Sequence, residues 1–409
     1  MGVFNDLHGN LNDDLAANDP QNLRNLFIIN KNVSCVNKKV HSISIPRNVD
    51  TIPYLGFSDC TNLKSLNIQD NISTIEREAF SNCTALEDVM FLGNIDKLGE
   101  RLFDGCTSLC EIKFPNKLNS ISEECFSNCT NLKNVTLPNG LKSLGKYVFK
   151  NCSNLSSVDM PDSITTMDEG VFFKCDNLQF ISLPPNLKVL DKYLFGYCSK
   201  LSEIYIPDNV ELINDLAFFN CIDLERVKFS PNITSIGSRA FSMCLSLKEI
   251  ELPDSILSIK QGAFSNCINL KNAKLPKNLK SISSGVFNNC KSLNQIKLPD
   301  RVTYIKNTAF SGCTNLKTVN LNYGLKFIGS RVFSDCINLN EIKLPKTIQN
   351  IEEYAFANCA SLKKVVIPPA ITSISRFAFE NCPNLVIHGK KDSYAHWYAN
   401  KNKIAFEEF

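Results

Sequence analysis

Residues 132–152 read LKNVTLPNGLKSLGKYVFKNC, and this stretch contains the positions of a unit that recurs along the chain. Its V-x-L segment alternates with period two and ends at Pro138, which predicts a short β-strand that stops where the amide donor is lost. The following L-x-x-L predicts a second short extended piece. The stretch through Phe149 and Cys152, where Asn often precedes the cysteine, predicts a helical turn. Each unit therefore predicts one coil of a solenoid.

The phenylalanine of this unit recurs at a constant step of 23 residues, without one insertion or deletion. It stands at positions 57, 80, 103, 126, 149, 172, 195, 218, 241, 264, 287, 310, 333, 356 and 379. A cysteine follows three residues after each phenylalanine, from Cys60 to Cys382. One coil cannot bury its own apolar side, but stacked coils bring like residues together and build a continuous core. We therefore expect fifteen stacked coils with one parallel strand each.

The pattern L-x-x-V-x-L-P-x-x-L-x-x-L-x-x-x-x-F-x-x-C resembles the leucine-rich repeats of the BspA-like, treponemal-type family, whose consensus carries L-x-x-I-x-L-P-x-x-L-x-x-I-x-x-x-A-F-x-x-C. The match extends over about Val40 to Leu385. The resemblance implies an α+β repeat solenoid, a curved stack with one parallel strand per coil on the concave face and short extended or helical turns on the convex face. Departures from the repeat pattern are local. Ala273 puts a small side chain at a buried strand position, and the proline is replaced by Gln69, Leu92, Ser230 and Asn322.

Both ends of the chain depart from the repeat. This is expected because the apolar interior of the first and last coils must be shielded from solvent. The sequence predicts a loose or capping segment over residues 1–33 and the solenoid of fifteen repeats over residues 34–385. Residues 386–409 predict a closing segment of strand, short helix and strand, because Tyr394, Ala395, Tyr398 and Ala399 fall on one side of a helix.

Composition and charge exclude several classes of protein. The net charge is only +3, which does not favour a domain that works by neutralising phosphates. Polar residues interrupt every apolar run well before the roughly 20 residues that cross a bilayer. The start, MGVFNDLHGNLNDD, lacks the basic and hydrophobic regions of a secretory signal peptide. We therefore expect neither nucleic-acid binding nor direct membrane insertion.

The sequence offers no arrangement of residues that is typical of catalysis. His8, His41, His388 and His396 are split between the two ends, so neither a Cys-His nor a Ser-His pair has a plausible geometry. The constant repeat step also leaves no inserted loop that could carry an active site. We expect a protein without catalytic residues or a cofactor.

The eighteen cysteines could form a metal array, a disulfide ladder or a stack of small buried hydrophobic side chains. Zinc sites favour closely spaced cysteine pairs, and the near pair Cys106 and Cys110 has no second pair beside it. The pattern therefore favours buried free thiols and no metal. Cys125 precedes a repeat phenylalanine and is also expected in the core, whereas Cys110 and Cys35 are expected to be reactive.

Partner binding is expected on the outward residues of the V-x-L strands, which flank the buried ones. The aromatic pair Phe180 and Tyr205 occupies neighbouring strands next to Arg226 and Lys228, a combination that recurs at interface hot spots. We predict the ligand-binding site at these four residues. The alternative is a polar sheet face with no partner.

A basic strip is a second candidate on the same face. Lys274, Lys297 and Lys343 share one outward position, but Glu249 and Glu251 lie among them, as does Glu341. A mixed, solvated sheet face is therefore favoured over a track for anions.

The resemblance implies a surface adhesin that contacts a host extracellular-matrix or cell-surface protein through its repeats. The competing interpretation is an intracellular scaffold or regulator of a cytosolic protein, favoured by unpaired cysteines and by the start of the chain.

Overall fold

The computed structural model describes residues 26–408, and the predicted loose segment lies largely outside them. The chain divides into two compact units, one ending at Pro184 and the other beginning at Pro185. In both units each coil contributes short strands to parallel ladders, so each unit is a solenoid of 23-residue coils. The predicted 23-residue coil is confirmed, while the curvature stays a prediction.

The first ladder consists of the strands formed by the V-x-L segments. In the first unit these are β3 (Ser42–Ser44), β5 (Ser65–Ile68), β7 (Asp88–Phe91), β9 (Glu111–Lys113), β11 (Asn134–Thr136) and β13 (Ser157–Asp159). In the second unit they are β16 (Glu203–Tyr205), β18 (Arg226–Lys228), β20 (Glu249–Glu251), β22 (Asn272–Lys274), β24 (Gln295–Lys297), β26 (Thr318–Asn320), β28 (Glu341–Lys343) and β30 (Lys364–Val366).

The second ladder consists of two-residue strands formed by the later extended piece of each coil, as predicted. In the first unit these are β4 (Thr51–Ile52), β6 (Thr74–Ile75), β8 (Lys97–Leu98), β10 (Ser120–Ile121), β12 (Ser143–Leu144) and β14 (Thr166–Met167). In the second unit they are β15 (Val189–Leu190), β17 (Leu212–Ile213), β19 (Ser235–Ile236), β21 (Ser258–Ile259), β23 (Ser281–Ile282), β25 (Tyr304–Ile305), β27 (Phe327–Ile328), β29 (Asn350–Ile351) and β31 (Ser373–Ile374).

Where strands of neighbouring coils pair, they do so in parallel at a register of one repeat, so that Val135 lies opposite Val158 and Ile204 opposite Val227. This register places the middle, buried residue of each paired strand opposite the equivalent residue of the next coil. The V-x-L strands form several short sheets, because β9 and β11, β18 and β20, β22 and β24, and β26 and β28 are not hydrogen-bonded to each other. Residues 180–182 are an exception to the predicted pattern, because they do not form a strand. Ile181 is nevertheless buried, so this segment keeps the alternation of inward and outward side chains without strand pairing.

The stretch through the phenylalanine and cysteine is not helical, so the predicted helical turn is wrong and the α+β label is not supported. Within residues 26–408 the structure has a single α-helix, α1 (Tyr394–Lys401). In a typical coil, Glu78 and Asn82 have φ of 57° and 56°, in the left-handed region that ends a helix. Their amides donate to carbonyls of the next coil, at 2.9 Å for Glu78 and 2.7 Å for Asn82. The turns thus form a third inter-coil ladder.

Stacked phenylalanine rings form the centre of each unit. In the first unit the ring centroids of successive repeat phenylalanines, such as Phe57 and Phe80, lie between 5.2 and 5.7 Å apart. In the second unit they lie between 4.9 and 5.8 Å apart, from Phe195 to Phe379. Full burial of these rings provides a large share of the apolar area that stabilises each coil.

The repeat cysteine has a specific structural role beside the rings. The Cys267 Sγ donates to the carbonyl oxygen of Phe241 in the preceding coil at 3.2 Å, and the same bond recurs along both units. The Cys244 amide donates to that same carbonyl at 3.4 Å. A small, apolar residue with a weak donor therefore fits this position better than alanine or serine.

At two of the four positions where the proline of the repeat is missing, Ser230 and Asn322, a polar side chain donates to carbonyl oxygens of the preceding coil. Asn322 is buried, and its Nδ2 donates to the carbonyl oxygens of Asp300 and Val302, each at 2.8 Å. The Ser230 hydroxyl lies 3.0 Å from each of the two equivalent carbonyl oxygens of its own preceding coil and shares its hydrogen between them. The coil is therefore retained with these donors paired, although the buried Oδ1 of Asn322 has no hydrogen-bond partner.

The two ends of the described chain are capped by different elements. At the start, β1 (Leu26–Ile29) and β2 (Asn32–Cys35) form an antiparallel hairpin, and β2 pairs with β4. At the finish, β32 (Val386–Gly389) and β33 (Ala405–Glu408) extend the strand ladder beyond β30. Between them α1 buries Tyr398, whose ring meets the last stacked phenylalanine, Phe379, edge-on at 6.2 Å.

Candidate functional site

Three of the four predicted site residues lie together on the strand ladder of the second unit. Strand β16 carries Tyr205, and β18 carries Arg226 and Lys228. The parallel register sets Tyr205 directly opposite Lys228, whose Nζ lies 5.8 Å from the centre of the tyrosine ring. Because Ile204 is buried between its strand neighbours, the Tyr205 ring points outward and is 61% exposed. The strand faces were therefore assigned correctly from the sequence.

Arg226 is held by its neighbour across the ladder. Its Nη2 lies 2.9 Å and its Nε 3.3 Å from Oε2 of Glu203, and this hydrogen bonding raises the pKa of the guanidinium. The ion pair is exposed, so it adds little to stability, but it orients the guanidinium along the sheet. Arg226 retains further N–H donors for a ligand because its guanidinium has five.

These side chains surround a shallow groove of about 620 Å³ on the strand ladder. Its wall includes Tyr205, Lys228, Phe229 and the carboxylates of Glu225 and Glu251. Glu225 pairs with Lys248 at 2.9 Å. The groove thus offers one exposed aromatic ring among charges that are largely matched to each other, an arrangement suited to a polypeptide surface.

The fourth predicted residue, Phe180, lies in the first unit. Its side chain is 57% exposed, as the outward assignment requires, although its segment is not a strand. An exposed phenylalanine of this size is a candidate contact in its own right.

A second groove of about 830 Å³ lies on the same ladder, along β22 and β24. The expected mixture of charges is present here, because Lys274 forms an ion pair with Glu251, and Lys277 Nζ lies 2.7 Å from Asp254. Lys277 also lowers the pKa of the Asp254 carboxyl. The basic residues of this region are therefore partly neutralised.

Ion pairs between coils were not predicted from the sequence, although a signal was present. Lys200 and Asp223 are separated by one repeat and lie 3.1 Å apart, and Glu225 and Lys248 have the same spacing. Opposite charges at the same repeat position must face each other across a parallel ladder. A comparison of charges at a spacing of one repeat would have identified these pairs.

The thiols are free and almost all buried. All eighteen cysteines are unpaired, and only Cys110 is exposed while Cys382 is partly so. Burial raises the pKa of Cys267 and of Cys313 to about 12. Cys125 is fully buried, as expected, and Cys110 is exposed, as expected.

The expectation of a reactive Cys35 is wrong. This thiol is buried, a hydrogen bond with Cys60 together with burial raises its pKa, and its Sγ donates to the Asn37 carbonyl at 3.1 Å. Cys35 is the last residue of β2, and its side chain is buried like that of Val33 in the same strand. Among residues 26–408, no group of three His, Cys, Asp or Glu side chains is placed to hold a metal ion. In the same residues no helix has both the length and the apolar character to cross a membrane.

The fold and its outward-facing ladder define a leucine-rich-repeat protein. Residues 28–129, 111–222, 188–307 and 280–390 match the BspA type Leucine rich repeat region (6 copies). These matches span most of the chain, so it belongs to the BspA-type leucine-rich-repeat family. This fold is typical of proteins that bind other proteins and is typically not catalytic.

Solved structures that are similar to this chain come from several bacteria. A leucine-rich repeat protein from Bacteroides ovatus is 26% identical with a TM-score of 0.76, covering 94% of this chain and 97% of its own. One from Eubacterium ventriosum is 20% identical with a TM-score of 0.53, covering 80% and 89%. A leucine rich cell surface protein from Faecalibacterium prausnitzii is 23% identical with a TM-score of 0.48, covering 91% and 94%. No curated protein matches the chain.

Proposed function

We propose that this protein is a non-enzymatic adhesin or surface interaction protein that recognises a protein ligand through the outward residues of its strand ladder. The observation that carries the proposal is Tyr205, an exposed aromatic ring placed against Lys228 on a rigid pair of strands. Aromatic rings with few rotatable bonds give a large contact area at low entropic cost. Membership of the BspA-type family supports the adhesive role.

The contact is assigned to Tyr205, Arg226 and Lys228 in the second unit and to Phe180 in the first. Tyr205 would fill an apolar depression on the partner, and Lys228 and Arg226 would donate to its carboxylates or carbonyls. The partner class is a host extracellular-matrix or cell-surface protein. Exposed ion pairs such as Glu203–Arg226 favour specificity and rapid association more than affinity.

The binding experiment uses the purified chain and a panel of immobilised extracellular-matrix proteins. We expect one or more of them to bind, and the Tyr205→Ala, Lys228→Ala variant to weaken that binding. The matched control is Tyr323→Ala, Lys326→Ala, because Tyr323 is 91% exposed and Lys326 is exposed but neither lies on the strand ladder. Phe180→Ala is measured separately. If no matrix protein binds, or both double variants bind equally, the proposal fails.

The second candidate is an intracellular scaffold that uses the same surface on a cytosolic protein. It is favoured by the eighteen free thiols, because unpaired cysteines persist in reducing compartments. Antibody staining of intact and permeabilised cells separates the two candidates. Staining of intact cells supports the adhesin, whereas staining only after permeabilisation supports the scaffold.

A further inference from the structure

The strand ladder of the second unit differs along its length in how far its outward side chains are already paired. On β16 and β18 they contact each other, as the Glu203–Arg226 ion pair shows. On β22, β24 and β26 the exposed amides of Asn272, Gln295 and Asn320 have no side-chain hydrogen bond to any described residue. Exposed amides on a rigid sheet can donate to and accept from an added ligand.

These amides lie in the groove of about 830 Å³, which is also basic. Lys274, Lys277, Lys297 and Arg301 line it, against the single carboxylate of Asp300. The volume falls within the range of pockets that hold small ligands, and the groove is open enough for a chain to pass along it. A ligand in this groove would therefore meet both amide groups and an excess of positive charge.

Only part of that positive charge is available. The carboxylates of Glu251 and Asp254 already hold Lys274 and Lys277, whereas Lys297 and Arg301 form no ion pair with any residue between 26 and 408. Two free cations suit a ligand with a few separated carboxylates. A densely charged polyanion gains affinity by contacting many cations at once, and the nearby carboxylates would repel it.

We propose that this groove, lined by Asn272, Gln295, Asn320, Lys297 and Arg301, binds an extended acidic peptide segment of the protein partner. The amides would hydrogen-bond to the peptide backbone, and the two cations would bind its carboxylates, Arg301 in a two-pronged manner. This inference rests on the proposed function, since it names the chemistry of a partner that the strand ladder recognises.

The test is fluorescence anisotropy with the full chain and a short labelled peptide of alternating Glu and Ser. We expect binding that weakens at high salt and is at least about tenfold weaker in the Lys297→Glu, Arg301→Glu variant. The matched control is Lys306→Glu, Lys326→Glu, which makes the same change in net charge at exposed positions of the same unit outside the groove. The control should bind like the unaltered chain. A peptide of alternating Lys and Ser should not bind.

Several outcomes overturn the inference. These are absence of binding of the Glu and Ser peptide, equal weakening in both charge-reversed variants, and tight binding of a sulfated polysaccharide in place of the peptide. Loss of this inference leaves the proposed function intact if a matrix protein still binds through Tyr205 and Lys228. Both fail together if, in addition, no matrix protein of the panel binds or the two double variants of that experiment bind equally.

Discussion

The interior of the second unit and its strand ladder follow opposite rules. Inside, the same ring recurs from Phe195 to Phe379 with nearly constant separation. Outside, one repeat position changes from Glu203 through Arg226 and Glu249 to Asn272 in successive strands. Each interior residue packs against the equivalent residue of the coil on either side, so a substitution there disturbs two neighbouring coils. An outward residue has no such constraint, and its variation is available for recognition.

The largest test of this contrast removes one interior phenylalanine, Phe264 of the second unit, and one outward phenylalanine, Phe180 of the first unit. Phe264→Ala deletes a fully buried ring and should lower the free energy of unfolding by about 3–5 kcal/mol. Phe180→Ala makes the same chemical change at an exposed position and should alter it by only about 0.5 kcal/mol. Urea denaturation measures both. Similar losses for the two variants would contradict the assignment of the faces.

The thiols give a second contrast between interior and surface. A maleimide should label Cys110 and Cys382 in the native protein, because the first is exposed and the second partly so. The other sixteen are buried and should react only after denaturation. Mass spectrometry of native and denatured samples counts the labels. Extensive labelling of native protein would show that the coils open far more readily than a stacked core allows.

A smaller effect is expected at the end of the cysteine stack. The neighbouring Cys359 thiol lowers the pKa of Cys382, so the thiolate forms at a lower pH than it would alone. In Cys359→Ala this stabilisation of the thiolate is lost, the pKa of Cys382 rises, and labelling near neutral pH should slow by about fivefold, equivalent to about 1 kcal/mol. Rates measured across a pH series check the shift. An unchanged pH profile would mean that the two thiols do not interact.

The smallest effect is expected from the exposed ion pair of the candidate site. Glu203→Gln removes one charge from the pair with Arg226 while keeping the side-chain shape. Because the pair is solvated, the melting temperature should not change measurably. The association rate with a protein partner should change and should lose part of its salt dependence. A clear drop in melting temperature would show that the ladder's outward residues contribute to folding.

The sequence predicted the coil length, the strand positions apart from residues 180–182, the buried repeat residues and the outward direction of Tyr205, because one fixed spacing determines all of them. It did not predict the turn ladder. Asn82, before its cysteine, was interpreted as part of a helical turn, whereas asparagine tolerates the left-handed conformation found there. Tyr147 adopts that conformation as well, without any sequence signal. Cys35 was wrongly expected to be reactive because the β1–β2 hairpin, in which it is buried, lies outside the repeat pattern.

The central claim is that folding and recognition depend on different positions of the same coil, and the Tyr205→Ala, Lys228→Ala variant tests it most directly. Its unfolding free energy and its affinity for a bound matrix protein are measured on one preparation. The account predicts a change in stability of no more than about 0.5 kcal/mol and an affinity loss of about 2 kcal/mol, roughly thirtyfold. Unchanged affinity, or a loss of stability comparable to that of Phe264→Ala, would contradict it.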